Sequence, residues 1–155
     1  MFTLFVLTII TVVLCILLIN SNQKKKIIPN KESILRWNST GLTVAGVSTV
    51  SGTDNMHLNR PLDLALDYQG TMFIADINNH RIQKYVRGSR NGTTVAGFGN
   101  GTSSTSPNGL NVPVHVIVDD EGNLYITNLG NCQILYWPRN ALSGVVVGGF
   151  GKKKR

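Results

Sequence analysis

Four short apolar runs, separated by turn-forming residues, occupy residues 61–97. Their sequences are LDLALD (62–67), TMFIAD (71–76), RIQKYV (81–86) and TTVAG (93–97). In the first run, leucines alternate with aspartate or alanine, so one face of an extended strand is apolar and the other is polar or small. The runs therefore predict a meander of four antiparallel strands, with its first turn at Tyr68-Gln69-Gly70.

The same pattern returns in residues 113–149, which align with residues 61–97 at a shift of 52 positions without a gap. The matching positions include Pro61 with Pro113, Gly70 with Gly122, Asn79 with Asn131, Ile82 with Ile134 and Gly92 with Gly144. A partial third copy lies in residues 34–46, whose TVAG stands 51 positions before that of residues 94–97. A period of about 50 residues with four strands per unit is typical of propeller blades. We therefore predict an all-β fold, an incomplete β-propeller whose equivalent sheets pack side by side.

The amino terminus differs in character, because residues 2–19 contain no charged residue, glycine or proline. As a helix rising about 1.5 Å per residue, this segment would extend about 27 Å, close to the thickness of a bilayer core. Its length and the lack of a basic leader favour an uncleaved transmembrane anchor, with a cleaved signal peptide as the alternative. Beyond residue 30 the sequence lacks helical periodicity, so β structure and loops are expected there.

The net charge of +7 comes from two basic runs, Lys24–Lys26 and Lys152–Arg155, which leaves the repeat region neutral. A neutral folded region argues against nucleic-acid binding, which needs a basic face. By the positive-inside rule, the first basic run favours a cytoplasmic carboxyl side. Three glycosylation sequons, at Asn38, Asn91 and Asn100, instead favour an extracellular or lumenal side, and we expect the repeats to lie there.

The stretch FIADINNHRIQKY, residues 73–85, resembles the NHL repeat family. Asn79 and His80 supply the first two letters of the family's name, and Arg81-Ile82 replace the third, as in many such repeats. The resemblance covers residues 34–151 and is most specific in the first full unit. It implies a propeller that usually closes with six blades. It also implies that the fold binds protein or RNA or serves as an extracellular sensor, and in one lineage it forms a zinc-dependent peptidyl-amidating lyase.

The motif carries two opposite charges, Asp76 at the end of the second strand and Arg81 at the start of the third. In the second unit these become Asn128 and Gln133, so both charges vanish together. That is expected if either charge alone would be costly when buried. We therefore predict a structural ion pair. The residues assigned to the structural motif are Asp76, Asn79, His80, Arg81, Ile82, Asn128, Asn131 and Ile134.

A zinc lyase needs about three converging protein ligands, and the chain has three histidines, His57, His80 and His115. Of these, His115 falls on a first strand, the strand that lines the channel of a propeller, where it could meet Asp63 of the neighbouring unit. Two polar residues in a channel are ordinary, so the sequence favours neither a metal site nor a cofactor. It also lacks the pattern of a Ser-His-Asp triad, a phosphate loop or a cysteine nucleophile. We therefore predict no catalytic residue and no enzyme activity.

An incomplete ring would expose apolar faces on its first and last sheets. We expect a truncated product, with self-association of several copies through the unpaired blade edges and poor stability as the alternatives. The predicted function is a membrane-tethered scaffold, held through residues 2–19, that binds a protein or glycan partner. A fragment of a zinc-dependent lyase and an RNA-binding module are the alternatives. The predicted organisation is an anchor or signal segment (1–20), a basic linker (21–33), a partial blade (34–46), a first NHL blade (61–97), a second blade with a degenerate motif (113–149) and a basic tail (150–155).

Overall fold

The computed structural model describes residues 40–149, which form two four-stranded antiparallel sheets with two short 3-10 turns. The first sheet consists of β1 (Pro61–Leu66), β2 (Met72–Asp76), β3 (Arg81–Tyr85) and β4 (Thr93–Gly97). The second consists of β5 (Pro113–Val118), β6 (Leu124–Asn128), β7 (Gln133–Trp137) and β8 (Val145–Gly148). Strand order follows the chain in both sheets, so each is a meander. The all-β prediction is confirmed, and the strands predicted for the first unit agree with those observed to within one residue at each end.

Several predicted segments lie outside the described residues, namely the anchor or signal segment 1–20, the basic linker 21–33 and the tail 150–155. Of the predicted partial blade, residues 40–46 are described and form no regular strand. They are followed by an isolated bridge between Val47 and Val50. Within residues 40–149, no helix has the length and apolar character needed to cross a membrane.

The turns that join the first two strands of each sheet are built alike. Gly70 has a φ of +77° and donates its N–H to the carbonyl oxygen of Asp67 at 3.0 Å. Gly122 has a φ of +85° and makes the same 3.0 Å bond to Asp119. Since a positive φ is readily adopted only by glycine, these two positions fix the predicted turns.

The two sheets pack face to face through one side of each. From the first sheet, Phe73, Ala75 and Ile82 enter the shared core, and from the second, Val116 and Ile126 meet them. β1 and β2 both lie against β5, so the first strands of the two sheets are neighbours. Two meanders that pack face to face with adjacent first strands fit part of a β-propeller.

The leucines of β1 lie on the opposite side of the first sheet from this core. Leu64 and Leu66 are 54% and 58% exposed, whereas Ala65 between them packs against the core. Strand pairing places Leu64 beside Ile74 and Leu66 beside Met72, which makes the whole inner part of this face apolar. Within residues 40–149, no sheet covers it, and its leucines are exposed while Ile74 is only 5% exposed.

The connection that precedes each sheet, residues 47–60 or 98–112, is hydrogen-bonded to the turn before the fourth strand of that sheet. In the first unit, the carbonyl oxygen of Asn55 accepts the N–H of Gly92 at 2.7 Å. An equivalent hydrogen bond of 2.9 Å recurs in the second unit. Each connection is therefore tied to its own sheet at the turn before the fourth strand, although Val145, Val146 and Val147 of β8 are 58%, 47% and 57% exposed.

Candidate functional site

The two ends of the sheets carry different kinds of connection between strands. One end, which we call the loop end, carries the 3-10 turns Ile77–Asn79 and Leu129–Asn131, together with the points where the long connections leave and enter the sheets. The opposite end, the turn end, carries the turns that join β1 to β2 and β3 to β4, and their counterparts in the second sheet. All of the motif residues lie at or beside the loop end, where the second strand ends and the third begins.

Arg81 and Asp76 lie together at the loop end, and both side chains are fully buried. Arg81 Nε donates to Asp76 Oδ2 at 2.9 Å. The other N–H groups of the guanidinium donate to the backbone carbonyl oxygens of Thr53, Asp54, His57 and Gly99. A guanidinium has five N–H donors, and here each of them has an acceptor. This one side chain therefore joins β3 to both long connections.

Asp76 and Asn79 add further bonds to the same connection. Asp76 Oδ1 accepts the N–H of Asn59 at 2.7 Å, and its Oδ2 accepts the side-chain amide of Asn79 at 2.8 Å. The same amide nitrogen also donates to the carbonyl oxygen of Gly52 at 2.7 Å. The carboxylate is thus fully hydrogen-bonded, which offsets the cost of burying its charge.

His80 links the first unit to the second. Its backbone is left-handed, with a φ of +51°, and its Nδ1 accepts the N–H of Val112 at 3.0 Å. Val112 immediately precedes β5, so the imidazole sets where the second sheet begins. Sequence reasoning missed this role, because the bond joins residues 32 positions apart across a connection whose path the hydrophobic pattern does not define.

The second unit keeps the anchoring bonds of the loop end without the charges. Asn128 Oδ1 accepts the N–H of Asn111 at 2.7 Å, and the amide of Asn131 donates to the carbonyl oxygen of Ser104 at 2.9 Å. Asn128 Nδ2, however, is buried and has no hydrogen-bond partner. The neutral network is therefore less fully satisfied than the charged one.

The two isoleucines assigned to the motif have different surroundings. Ile82 is completely buried in the core between the sheets. Ile134, at the equivalent position of the second unit, is 44% exposed. The difference follows from packing, because the side of the first sheet that carries Ile82 faces the second sheet, and the matching side of the second sheet has no sheet against it within residues 40–149.

The adjacent first strands bring Asp63 and His115 together, as their positions in the repeat predicted. His115 Nδ1 lies 3.3 Å from Asp63 Oδ2, and the same oxygen accepts the N–H of Val116 at 3.0 Å. Among residues 40–149, no group of three or more His, Cys, Asp or Glu side chains is placed to hold a metal ion. The pair and the bond from Val116 form a polar contact between the first strands of the two sheets.

Two aspartates stabilise the turn end. Hydrogen bonds from Asn123, from its side-chain amide and its N–H, hold the pKa of Asp119 below the usual value. For Asp67, burial raises the pKa, but the N–H groups of Thr71 and Gln69 outweigh burial and lower it. Both carboxylates are thus engaged with their own turns and stay ionised at neutral pH.

Two of the three predicted glycosylation sites are described, and both are exposed. Asn91 lies in the turn before β4, and Asn100 lies just after that strand. Asn100 Oδ1 accepts the N–H of Thr102 at 3.1 Å, which shapes the backbone of its sequon. Asn38 lies outside the described residues.

The loop end also presents an apolar side chain. Leu129, in the second 3-10 turn, is 55% exposed, whereas Ile77, its counterpart in the first unit, is buried. Binding residues concentrate on loops that a rigid scaffold positions, and Leu129 gives this surface an apolar contact point. The sequence could not distinguish the two positions, because both are apolar and they differ only in what covers them.

No protein-family model matches the chain, and a search of curated proteins finds no match either. The relation to the NHL repeats therefore stays a prediction from the motif and the repeat.

Proposed function

We propose that the chain is a membrane-tethered, NHL-type β-propeller segment that binds a protein or glycan partner through its loop end. The observation that supports this is the loop-end network, in which one buried arginine places all five of its donors on Asp76 and on the two long connections. Loops that are held in place before binding lose less conformational entropy on binding. A rigid display of loops is therefore a suitable binding surface.

A binding role fits the chemistry of the loop end better than catalysis does. General acid–base catalysis needs a titratable side chain that is free to exchange a proton with a substrate. Here Asp76 is engaged by three donors, and His80 Nδ1 is engaged by the N–H of Val112. The connection that Arg81 holds exposes the Asp54 carboxylate, which lies 2.6 Å from His57 Nδ1, and the loop end exposes Leu129. Charged and apolar groups of this kind suit recognition.

Binding at the loop end is tested with the full chain in mild detergent, applied to arrays of purified ectodomains and of glycans. Leu129→Asp should weaken the binding of any ligand found by about tenfold or more, because a buried leucine contributes about 1.5–3 kcal/mol. Leu142→Asp is the matched control, since Leu142 is 89% exposed at the turn end. Equal binding of a ligand to the Leu129→Asp and unsubstituted chains would argue against the loop end as the binding surface. So would the failure to find any ligand on the arrays.

The proposed location places the repeats on the extracellular or lumenal side of the membrane, with residues 2–19 as the tether. After expression in a secretory host, treatment with an N-glycosidase should increase gel mobility. Asn91→Gln and Asn100→Gln should each remove one step of that shift, and Asn78→Gln, an exposed asparagine outside any sequon, should not. A band that the glycosidase leaves unmoved would contradict this orientation.

A further inference from the structure

Two apolar faces have no sheet packed against them within residues 40–149, one on each sheet, although Ile74 of the first is only 5% exposed. The first, which we call the leucine face, belongs to the first sheet and consists of Leu64, Leu66, Met72 and Ile74. It borders a groove of about 430 Å³. The second, which we call the tyrosine face, belongs to the second sheet and consists of Ile117, Tyr125, Ile134, Tyr136 and Val145. Its Ile117 is 64% exposed, and the rings of Tyr125 and Tyr136 lie in contact at 5.3 Å between centroids, with their planes tilted by 51°.

The repeat shows what each face is built to contact. At the shift of 52 positions, Leu64 corresponds to Val116, and Ile74 corresponds to Ile126. Val116 and Ile126 are buried against the first sheet. The leucine face is therefore the equivalent of a surface that already packs on a sheet of this chain.

The same comparison applies to the tyrosine face. Ile117 and Tyr125 correspond to Ala65 and Phe73, and Ile134 corresponds to Ile82. Those three residues of the first sheet pack into the core against the second sheet. The contact between the two sheets thus joins two unlike faces, and the uncovered faces are one of each kind.

We propose that a second copy of this chain docks its tyrosine face on the leucine face, head to tail, in continuation of the packing between the two sheets. The polar edge of the contact also matches. Within one chain, Asp63 of the first sheet meets His115 of the second, and in the proposed contact, His115 of one copy meets Asp63 of the next. Every added copy again presents one face of each kind, so the assembly grows until a ring closes.

Residues 42–46 must move aside for this docking. Val44 lines the groove described above, and Leu42 and Val44 together line a second groove beside Leu66 and Met72. They are 80% and 57% exposed, and residues 42–46 belong to no regular strand. A segment with so little buried surface is displaced at small cost.

The proposal is tested by mixing variants of the full chain that carry two different affinity tags. Leu64→Glu disables the leucine face and Ile117→Glu the tyrosine face, and each charge would lie buried in the contact. Each variant alone should lower co-purification of the two tags by about tenfold or more. Mixed together, the two variants should pair through their intact faces, which also shows that both are folded. Leu142→Glu, remote from both faces, is the control and should assemble like the unsubstituted chain.

All of these variants keep residues 2–19, so the double variant Leu64→Glu/Ile117→Glu measures any co-purification through that segment, and the tenfold loss is counted above that baseline. Unsubstituted copies that do not co-purify would overturn the proposal. Normal assembly of either the Leu64→Glu or the Ile117→Glu chains would also overturn it. The same holds if the mixture fails to pair while both variants keep the tryptophan fluorescence of the folded chain.

Cross-linking tests the direction of docking. In a background with Cys15 and Cys132 replaced by serine, one preparation carries Asp63→Cys and the other His115→Cys. Oxidation of the mixture should give a disulfide-linked dimer that contains one chain of each kind, and either preparation alone should form no disulfide-linked dimer. Dimers formed between two Asp63→Cys chains would show a symmetric contact and would contradict the head-to-tail arrangement.

Discussion

Arg81→Gln is the most informative single substitution at the loop end, because glutamine already stands at the equivalent position of the second unit. The change removes the bonds to four carbonyl oxygens and leaves the Asp76 carboxylate buried without its cation. Removing one partner of a buried ion pair costs about 3–5 kcal/mol. We therefore expect the free energy of unfolding to fall by about 4 kcal/mol. Asp76→Asn keeps an acceptor for the N–H of Asn59, so it should lower the free energy of unfolding by about 3 kcal/mol.

The double variant Asp76→Asn/Arg81→Gln reproduces the neutral pair of the second unit, Asn128 and Gln133. With neither charge left alone in the interior, the loss should be smaller than the sum of the two single losses, by about 1–3 kcal/mol. Urea unfolding of the full chain in mild detergent, followed by tryptophan fluorescence, measures all three variants. The control is Arg139→Gln, which removes an exposed positive charge and should change stability by less than about 0.5 kcal/mol. A loss below about 1 kcal/mol for Arg81→Gln, or strictly additive losses, would refute the reasoning.

Three further predictions concern the folded state and use the same unfolding assay. Gly97→Ala should lower the free energy of unfolding strongly, because Gly97 has a φ of +80° and an added Cβ would overlap the carbonyl oxygen of His80. Gly88 has a φ of +82° but open space around it, so Gly88→Ala should lower the free energy of unfolding by only about 1–2 kcal/mol. Equal losses at the two glycines would contradict this. His80→Ala leaves the N–H of Val112 without its acceptor and should cost about 1–2 kcal/mol, and a neutral result would remove that link between the units. Hydrogen bonds from Asn123 lower the pKa of Asp119 in the folded state, so its stabilisation is present above the ordinary aspartate pKa of 3.8 and is lost as the pH falls below that value. Asp119→Asn should therefore flatten the decline of stability in acid, and an unchanged pH profile would count against this.

Much of the fold could be predicted because the repeat and the alternation within each strand are both local in sequence. The runs that begin at Pro61 and Pro113 set the strand order, and the glycines at positions 70 and 122 set the turns. Which face meets the neighbouring sheet was harder to predict. The leucines of β1 look like core residues, yet the opposite side of the sheet packs against the second sheet, where Phe73 and Ile82 fill the core beside Ala65.

The candidate site could be predicted only in part. The ion pair between Asp76 and Arg81 could be predicted because the two residues flank one short turn. In addition, both charges are absent from the equivalent positions of the second unit. The carbonyl acceptors of Arg81, and the bond from Val112 to His80, depend on the path of the long connections. Those connections carry no periodic pattern, so their course is decided by tertiary hydrogen bonds that the sequence does not reveal.

The account depends on the two repeats forming equivalent sheets that pack face to face, and methyl-labelled solution NMR of the full chain in detergent tests this most directly. The methyl group of Ala75 on β2 and those of Val116 and Ile126 on β5 and β6 belong to one core cluster. We therefore predict cross-peaks between Ala75 and these two residues. Their absence, with cross-peaks instead joining Ala75 to the leucines of β1, would contradict the proposed packing.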